Sequence, residues 1–361
     1  MRFYPLRVLA VAAALCSVLG ASEAGKVTTH KLAEGVYLFT TTGYGDAGLC
    51  GNSVAIISDD SVLVFDSGGI PETAQIILAE IRKLTSKPVR YLVNSHWHWD
   101  HWGGNEVYRQ AFPSLQIITH ENTLRQMLEV EPAWNDEGLK TGLPGYIAQL
   151  EKKLEKDRAG HAPEEQIRNL EELLRADRGF LAAKTSLHKT HPDVTFSGAL
   201  TVFSGTREIR VQHARAITPG DTWLWLPKER ILVTGDALIN PYPFAVGGTY
   251  PADWLATLEE FAALDPAIII PGHGEAVPGK NLLQENIRLF QETMRQLKEA
   301  RTQGATLAAT IDSAGKRAGE LAAIVGITDP RKLPAFRAYF LDVFVRRAWQ
   351  ELEHPLGDSP K

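Results

Sequence analysis

Residues 91–105 read Tyr-Leu-Val-Asn-Ser-His-Trp-His-Trp-Asp-His-Trp-Gly-Gly-Asn, and four potential metal ligands stand within six of these positions. The largely apolar run 89–93, which leads into them, predicts a buried strand. Imidazole and carboxylate groups are natural ligands of a borderline divalent metal, above all zinc. We therefore predict a metal-binding loop where this strand ends.

The spacing of the four groups indicates two adjacent metal positions rather than one. His96 and His98 stand two residues apart as the chain leaves the strand, so both side chains can face one point. Asp100 and His101 then turn toward a second point nearby. Because this set is incomplete for two ions, we expect further ligands at the ends of later strands.

Two later apolar runs each deliver one residue of the ligand type. Residues 231–234 lead to Asp236, and residues 267–270 lead to His273 within Pro-Gly-His-Gly. Sites in open α/β sheets form beyond the carboxyl ends of the strands. Asp236 and His273 are therefore expected to join the metal loop. The alternatives are a turn carboxylate for the aspartate and a structural role for the histidine.

The first 24 residues have the features of a secretory signal peptide. Arg2 and Arg7 give a positive start, residues 8–19 form an apolar core, and Ser22-Glu23-Ala24 is a small-x-small cleavage site. The apolar core is too short to span a bilayer, so we expect no integral membrane segment in the mature chain. This predicts a periplasmic or secreted protein.

Composition narrows the classes of function further. With 361 residues and 44% hydrophobic content, the chain can build one large domain, alone or with an appendage. Its net charge of −5 offers no basic surface in bulk, and we expect no nucleic-acid partner. Cys16 follows Leu15 in a poor lipobox, which favours a soluble exported protein over a lipoprotein. Cleavage would leave Cys50 as the single cysteine, so no intrachain disulfide could form, and we interpret Cys50 as buried or incidental and not catalytic.

Strands alternate with helices before and after a central segment, which predicts an α/β layered fold. The central segment, about residues 121–190, is rich in Glu, Lys, Arg and Leu, with leucines at helical spacing. It predicts an inserted helical hairpin that breaks near residues 159–163, either a lid over the site or a dimer surface. A homo-oligomer is thus left open. Residues 281–361 predict a C-terminal helical extension.

These motifs together resemble the metallo-β-lactamase fold superfamily across nearly all of residues 27–280. The matching segments are Asp66-Ser67-Gly68, His96-x-His98-x-Asp100-His101, Thr218-Pro219-Gly220-Asp221, Gly235-Asp236 and Pro271-Gly272-His273-Gly274. The resemblance implies a four-layer αββα sandwich with a zinc site at one sheet edge. The domain would span residues 25–280 and carry the helical insertion and the helical C-terminal extension.

The resemblance also assigns zinc ligands: His96 and His98 to the first ion, Asp100, His101 and His273 to the second, and Asp236 to both. Asp66 would be a buried carboxylate that braces the metal loop. Asp100 would be catalytic as well, because it can orient a water molecule and carry a proton to the leaving group.

One position departs from the pattern of the superfamily. Ile217 stands where a histidine usually completes the first metal site, and isoleucine cannot ligate zinc. His213, four residues upstream, is an alternative ligand, although its place at a strand end favours another direction. We therefore expect one or two Zn²⁺ ions, with the Asp100, His101 and His273 site the stronger.

The expected activity is that of a metallo-hydrolase. Zinc lowers the pKa of bound water from ~15.7 to about 7, and the hydroxide would attack an ester, thioester, lactone or lactam carbonyl. The compartment suits a β-lactamase, but Asp236 stands where dedicated lactamases have cysteine or serine. A thioesterase of the glyoxalase II type fits Asp236 better, but glutathione chemistry belongs to the cytosol.

Aromatic residues near the ligands suggest an apolar wall for a small-molecule acyl substrate, or else packing beneath the insertion. They are Trp97, Trp99, Trp102, Tyr242 and Phe244. The alternative function is a non-hydrolytic or weakly active metal-binding accessory protein, and Ile217 is the feature in its favour.

Overall fold

Two β-sheets form the centre of the structure, a computed structural model that describes residues 25–44, 49–245 and 248–358. The predicted signal peptide lies outside the described residues. The first sheet has seven strands in chain order: β1 (Val27–Ala33), β2 (Val36–Thr41), β3 (Ser53–Ile57), β4 (Val62–Phe65), β5 (Val89–Val93), β6 (Gln116–His120) and β7 (Val194–Phe196). Strands β1 to β4 pair antiparallel, and β4 to β7 pair parallel.

The second sheet has six strands, which are again neighbours in chain order. They are β8 (Ala199–Ser204), β9 (Arg207–Ala214), β10 (Asp221–Leu226), β11 (Ile231–Val233), β12 (Ile268–Ile270) and β13 (Val277–Pro278). Only the β11–β12 pair is parallel among these described strands. The parallel pairs matter most, because they bring several carboxyl ends of strands to one edge.

Helices cover the outer face of each sheet. On the first sheet lie α1 (Pro71–Leu84) and α3 (Asn105–Ala111), while the single turn α2 (Trp99–Trp102) is part of the metal loop. Helix α1 starts with Pro71 in its first turn and ends with Arg82 and Lys83 in its last, both favourable placements. Its apolar face buries Ile77 and Ile81 against the sheet.

The insertion between β6 and β7 is helical, as predicted. It contains α4 (Glu121–Glu129), α5 (Glu131–Glu137), a π-helical turn (Gly138–Gly142), α6 (Leu143–Ala159) and α7 (Glu164–Thr185). The chain turns between α6 and α7 at His161, which has a left-handed backbone (φ 55°). Met127 of α4 packs on Trp97 and Trp102, so the insertion covers the metal loop.

The outer face of the second sheet is covered by α8 (Pro251–Ala263) and by the C-terminal helices. These are α9 (Asn281–Thr302), α10 (Leu307–Lys316), α11 (Ala318–Ile324), α12 (Leu333–Phe336) and α13 (Asp342–Glu353). The predicted C-terminal extension is thus helical, and a π-helical turn (Arg337–Leu341) separates α12 from α13. The Phe290 ring joins the two groups of helices, since it contacts Trp254 of α8 and Phe344 of α13.

The apolar core is divided by the two sheets. Between them, aliphatic side chains of both inner faces interlock, among them Leu38, Ile56, Val93, Leu224 and Ile270. On β10 the indole rings of Trp223 and Trp225 point the other way, into the layer of α8 and α9. The layers run helix, sheet, sheet, helix, so the predicted αββα sandwich is confirmed. Within the described ranges, no helix combines the length and apolar character needed to cross a bilayer.

Candidate metal centre

Four strand ends deliver the side chains of the site. Asp66 follows β4, the loop with His96 follows β5, Asp236 follows β11 and His273 follows β12. Hydrogen bonds lock the two sheets together here, because Thr222 N donates to Ser95 O and Asn52 N donates to Gly272 O (both 2.7 Å). The edge is therefore preformed by backbone contacts.

The first group of potential ligands consists of His96, His98 and Asp236. His96 Nε2 lies 2.8 Å from His98 Nδ1 and 3.7 Å from Asp236 Oδ2. One ligand atom from each of the three residues lies within 4.8 Å of the others, and all three residues are buried. This spacing fits three ligands around one ion.

The second group consists of Asp100, His101 and His273. Asp100 Oδ2 lies 3.4 Å from His101 Nε2 and 3.3 Å from His273 Nε2, and the three ligand atoms again lie within 4.8 Å of one another. The His273 side chain is 18% exposed, against 9% for Asp100 and none for His101. The centre therefore opens to solvent on the side of His273.

Asp236 stands between the two groups and faces each with a different oxygen. Its Oδ1 lies 3.3 Å from His101 Nε2 and 3.4 Å from His273 Nε2, while Oδ2 faces His96. His101 Nε2 and Asp236 Oδ1 are buried, and neither makes a hydrogen bond within the described structure. Orphaned buried polar atoms are rare in folded proteins, and these two are suitable metal ligands. The residues present thus fit one or two divalent ions.

Asp66 anchors the metal loop through two hydrogen bonds. Its Oδ2 accepts from His101 Nδ1 (2.8 Å), and its Oδ1 accepts from Ser95 N (2.7 Å). The first bond fixes the His101 tautomer, so that the lone pair of Nε2 faces the centre. Asp66 has a left-handed backbone (φ 58°), an uncommon conformation for a residue other than glycine.

The electrostatics of the two groups of ligands differ. Burial lowers the pKa of His98 to about 4 and that of His96 well below its usual value, so both imidazoles are neutral at pH 7. Burial also acts to lower the pKa of His101 and His273, but the facing carboxylates outweigh it. They raise the pKa of His273 to about 9 and that of His101 well above its usual range. Without a metal, the second group holds protons that the first does not.

Both carboxylates of the centre are ionised. Burial acts to raise the pKa of Asp100 and Asp236, yet the neighbouring histidines hold it well below the usual range. A buried pair of carboxylates needs positive charge close by. Protons on His101 and His273 provide that charge in the metal-free protein, and a divalent ion would replace them.

Asn52 is a supporting residue that the sequence did not reveal. Its Nδ2 donates to Pro271 O (2.9 Å) and Gly274 O (2.7 Å), which clamps the loop around His273. Within that loop, a Cβ on Gly272 would lie 2.0 Å from Asp236 Oδ1. The only available signal was the position of Asn52, a polar residue just before a buried strand.

Ile217 is fully buried in the turn before β10. That turn is fixed by Asp221, whose carboxylate accepts hydrogen bonds from Ala216 N, Thr218 N and Thr218 Oγ1. His213 stacks on His120 with the ring centroids 3.7 Å apart, and its Nε2 contacts Pro219 O at 3.0 Å. His213 therefore lies outside both groups of ligands, in the direction that its strand-end position favoured.

The aromatic residues flanking the ligands pack against helices instead of forming a free wall. The Trp97 and Trp102 side chains are buried under α4, and the ring of Phe244 stacks on Tyr339 of the C-terminal extension. Trp99 is partly exposed and contacts Phe180 of α7, with centroids 5.1 Å apart. Packing beneath added helices was the second interpretation of these residues. Cys50 is a buried free cysteine within the described part of the chain.

Comparison with known sequences identifies the family. The profile of the metallo-beta-lactamase superfamily matches residues 48–273, which include every ligand named above. The chain belongs to this superfamily. Among curated superfamily relatives, the linear primary-alkylsulfatase of Pseudomonas sp. (strain ATCC 19151) is 21% identical over 258 residues. The match covers 68% of this chain and 45% of that protein, so the chain spans less than half of the relative's length.

Solved structures of the superfamily share the fold. A metallo-beta-lactamase from Pontibacter korlensis superposes with a TM-score of 0.53 at 17% identity, over 74% of this chain and 99% of that one. DIM-1 metallo-beta-lactamase, in a crystal structure after exposure to ceftazidime, gives a TM-score of 0.50 at 17% identity, over 75% and 99%. At this identity the likeness concerns the fold alone.

When zinc binds to the metal-free form of this protein at pH 7, about two protons should be released. His101 and His273 must each lose a proton to become ligands. The affinity should rise with pH through the pKa of His273, about 9, and continue to rise until His101 has also lost its proton. Calorimetric titration in two buffers of different ionisation enthalpy measures the release. His273→Ala should release about one proton fewer. Equal heats in both buffers would contradict the assignment.

Replacing Asp66 with Asn should weaken zinc binding by roughly 10–100-fold, because the amide cannot hold the His101 ring as the carboxylate does. Competition with a chromophoric chelator measures the affinity. Asp312→Asn is the matched control, since Asp312 forms an exposed pair with Lys316. If the two variants bind zinc equally, Asp66 has no part in shaping the centre.

Proposed function

We propose that this protein is an exported, zinc-dependent hydrolase that cleaves the ester, thioester, lactone or lactam bond of a small organic substrate. One observation carries the proposal: six potential ligands, five of them buried and His273 partly exposed, converge from three parts of the chain in two adjacent groups, and Asp236 faces both. The donor set of four imidazoles and two carboxylates suits zinc. Membership of a largely hydrolytic superfamily supports the same conclusion.

The metal would be held by His96 and His98 in one position and by Asp100, His101 and His273 in the other, with Asp236 facing both. A divalent zinc ion supplies Lewis acidity, which lowers the pKa of water to about 7 and polarises the oxygen of the bond to be cleaved. The protein's own groups do the rest of the work, and Asp100 has the central part.

Asp100 is placed to handle the proton of the reaction. Its carboxylate is ionised at neutral pH, since the histidines on both sides lower its pKa. One oxygen lies within 3.4 Å of both His101 and His273, and the more exposed His273 marks the side from which substrate arrives. Asp100 can therefore orient the attacking water, accept its proton and pass that proton to the leaving group. We propose Asp100 as the catalytic residue.

A second candidate reaction is the hydrolysis of an alkyl sulfate ester. The observation in its favour is the similarity to the linear primary-alkylsulfatase across 68% of this chain. A long alkyl group would suit the partly exposed ring of Trp99, which lies beside the centre and contacts Phe180. This chain matches 45% of that relative, so the reaction is a proposal to be tested beside the acyl substrates.

Ile217 supports the alternative of a weakly active or non-hydrolytic metal-binding accessory protein. The first metal position has two histidines and the shared Asp236 but no third histidine from this turn. Such a site would bind its ion more weakly than the second. The hydrolase proposal remains the better supported. The second position has three ligands of its own besides the shared Asp236, and it has an open side.

Export is part of the proposal and rests on the features of residues 1–24, namely two arginines, an apolar core and a small-x-small site. Mass spectrometry of the protein from the periplasm or the culture medium tests it. We expect a mature chain that begins at Gly25. An intact N-terminus on protein found in the cytoplasm would contradict export.

Activity should be lost when the metal is removed with a chelator and restored by added zinc. A suitable panel comprises a chromogenic ester, a chromogenic cephalosporin and dodecyl sulfate with detection of released sulfate. Asp236→Asn should lower the activity by more than the roughly 10–100-fold that loss of an outer supporting group costs. Asp312→Asn, at an exposed ion pair, should not lower it. Full activity in the chelated protein would overturn the proposal.

A companion variant, Ile217→His, tests the weak first position. If the missing histidine limits activity, this variant should bind more zinc and hydrolyse its best substrate faster, provided that the imidazole is accommodated at this buried position. Metal content and kcat/KM are measured on the same preparation. No change in either quantity would mean that other groups already complete the site.

A further inference from the structure

The inserted helix α7 carries a lysine over the metal loop. Trp99 stands between His98 and Asp100, and its ring contacts Phe180, which in turn stacks on Tyr44 at a centroid distance of 5.6 Å. One helical turn beyond Phe180, the Nζ of Lys184 lies 4.3 Å from the centroid of the Trp99 ring. The lysine therefore stands beside the proposed catalytic centre but comes from an element that supplies none of its ligands.

Lys184 is buried without a hydrogen-bonded counterion. Its side chain is 5% exposed, and its Nζ has no hydrogen-bond partner among the described residues. Burial lowers the pKa of Lys184 to about 7, although Glu131 and Asp100 act in the opposite direction. Neither carboxylate forms a hydrogen bond with it: Glu131 Oε2 accepts from Lys189 (2.5 Å), Glu131 Oε1 has no partner among the described residues, and Asp100 faces two histidines.

Other lysines of this protein show what a structural role looks like. Lys189 pairs with the buried Glu131, and Lys87 donates to the Ser58 carbonyl at 2.6 Å. A buried ammonium group without such a partner is costly, because it has lost its hydration without a replacement. Groups kept at such a cost are commonly functional. The cation–π contact with Trp99 offsets only part of that cost.

We propose that Lys184 anchors an anionic group of the substrate, a carboxylate or a sulfate, beside the metal centre. The aromatic rings of Trp99 and Phe180 would take the hydrocarbon next to that group. The contact between the Trp99 and Phe180 rings holds α7 on the metal loop. The hydrocarbon chain of a ligand would replace that contact when it enters. The proposal rests on the proposed hydrolase function for its use, but anion binding can be measured without any hydrolysis.

The test compares the full-length wild type with Lys184→Met by calorimetry, with and without zinc. The probes are 1-octanesulfonate, octanoate and the neutral octanamide. The variant should bind both anions at least about tenfold more weakly, because a charge-assisted contact is lost, and it should bind octanamide unchanged. Weakening for one anion alone supports the anchor and identifies the group that it prefers. Lys152→Met, an exposed lysine on α6, is the matched control and should behave as wild type.

Three results would overturn the proposal. The wild type could bind neither anion, the wild type and Lys184→Met could bind the anions equally well, or Lys184→Met could lose octanamide affinity by as much as it loses anion affinity. Removing a buried unpaired charge should keep or raise the melting temperature. If Lys184→Met does not fold, Lys184→Gln replaces it, and failure of both means that the lysine is structural.

Kinetics separate the anchor from the hydrolase function. With mono-4-nitrophenyl glutarate, which ends in a carboxylate, Lys184→Met should raise KM at least about tenfold and leave kcat nearly unchanged. With the neutral 4-nitrophenyl valerate, neither constant should change. If the wild type hydrolyses nothing but its anion affinity depends on Lys184, the anchor stands and the hydrolase proposal fails.

Discussion

The attraction between buried carboxylates and buried imidazoles is the constraint on which the structure depends. Asp66, Asp100 and Asp236 are almost completely removed from water, as are His96, His98 and His101, while the His273 side chain is 18% exposed. Buried carboxylates are tolerated only when positive charge or hydrogen-bond donors lie within reach. His101 and His273, whose pKa values the carboxylates raise, supply positive charge in the metal-free chain, and a bound divalent ion would replace their protons.

The topology of the two sheets places these carboxylates and imidazoles at one edge of the sandwich. Parallel pairing of β4 with β5 and of β11 with β12 sends four chain segments toward one edge, one from each strand end. Asn52 and Ser95 then tie the two sheets together at the same edge. The added helices serve the site differently, since the insertion covers the metal loop and the C-terminal helices bury the outer face of the second sheet.

The sequence predicted the layers and the convergence of the six candidate ligands, because both follow from short-range patterns. The spacing from His96 to His101 and the apolar runs before Asp236 and His273 are visible without a structure. Asn52 and Lys184 could not be found in this way, since their roles depend on residues far away in the chain, such as Gly274 and Trp99. An isolated asparagine or lysine carries no local signal.

The aromatic residues near the ligands show a second limit of prediction from sequence. Trp97, Trp102 and Phe244 stand close in sequence to metal ligands, yet tertiary packing directs them against helices. Sequence proximity to a site does not determine the side to which a ring points. The same holds for His213, four residues from Ile217, whose ring stacks on His120.

Diffraction at the zinc absorption edge, from crystals of the zinc-loaded protein, tests the central claim most directly. We predict an anomalous peak among Asp100 Oδ2, His101 Nε2 and His273 Nε2, and a second, weaker peak beside His96, His98 and Asp236. The two should be close enough for Asp236 to contact both. Zinc held elsewhere on the chain, or no ordered zinc at these six residues, would contradict the account.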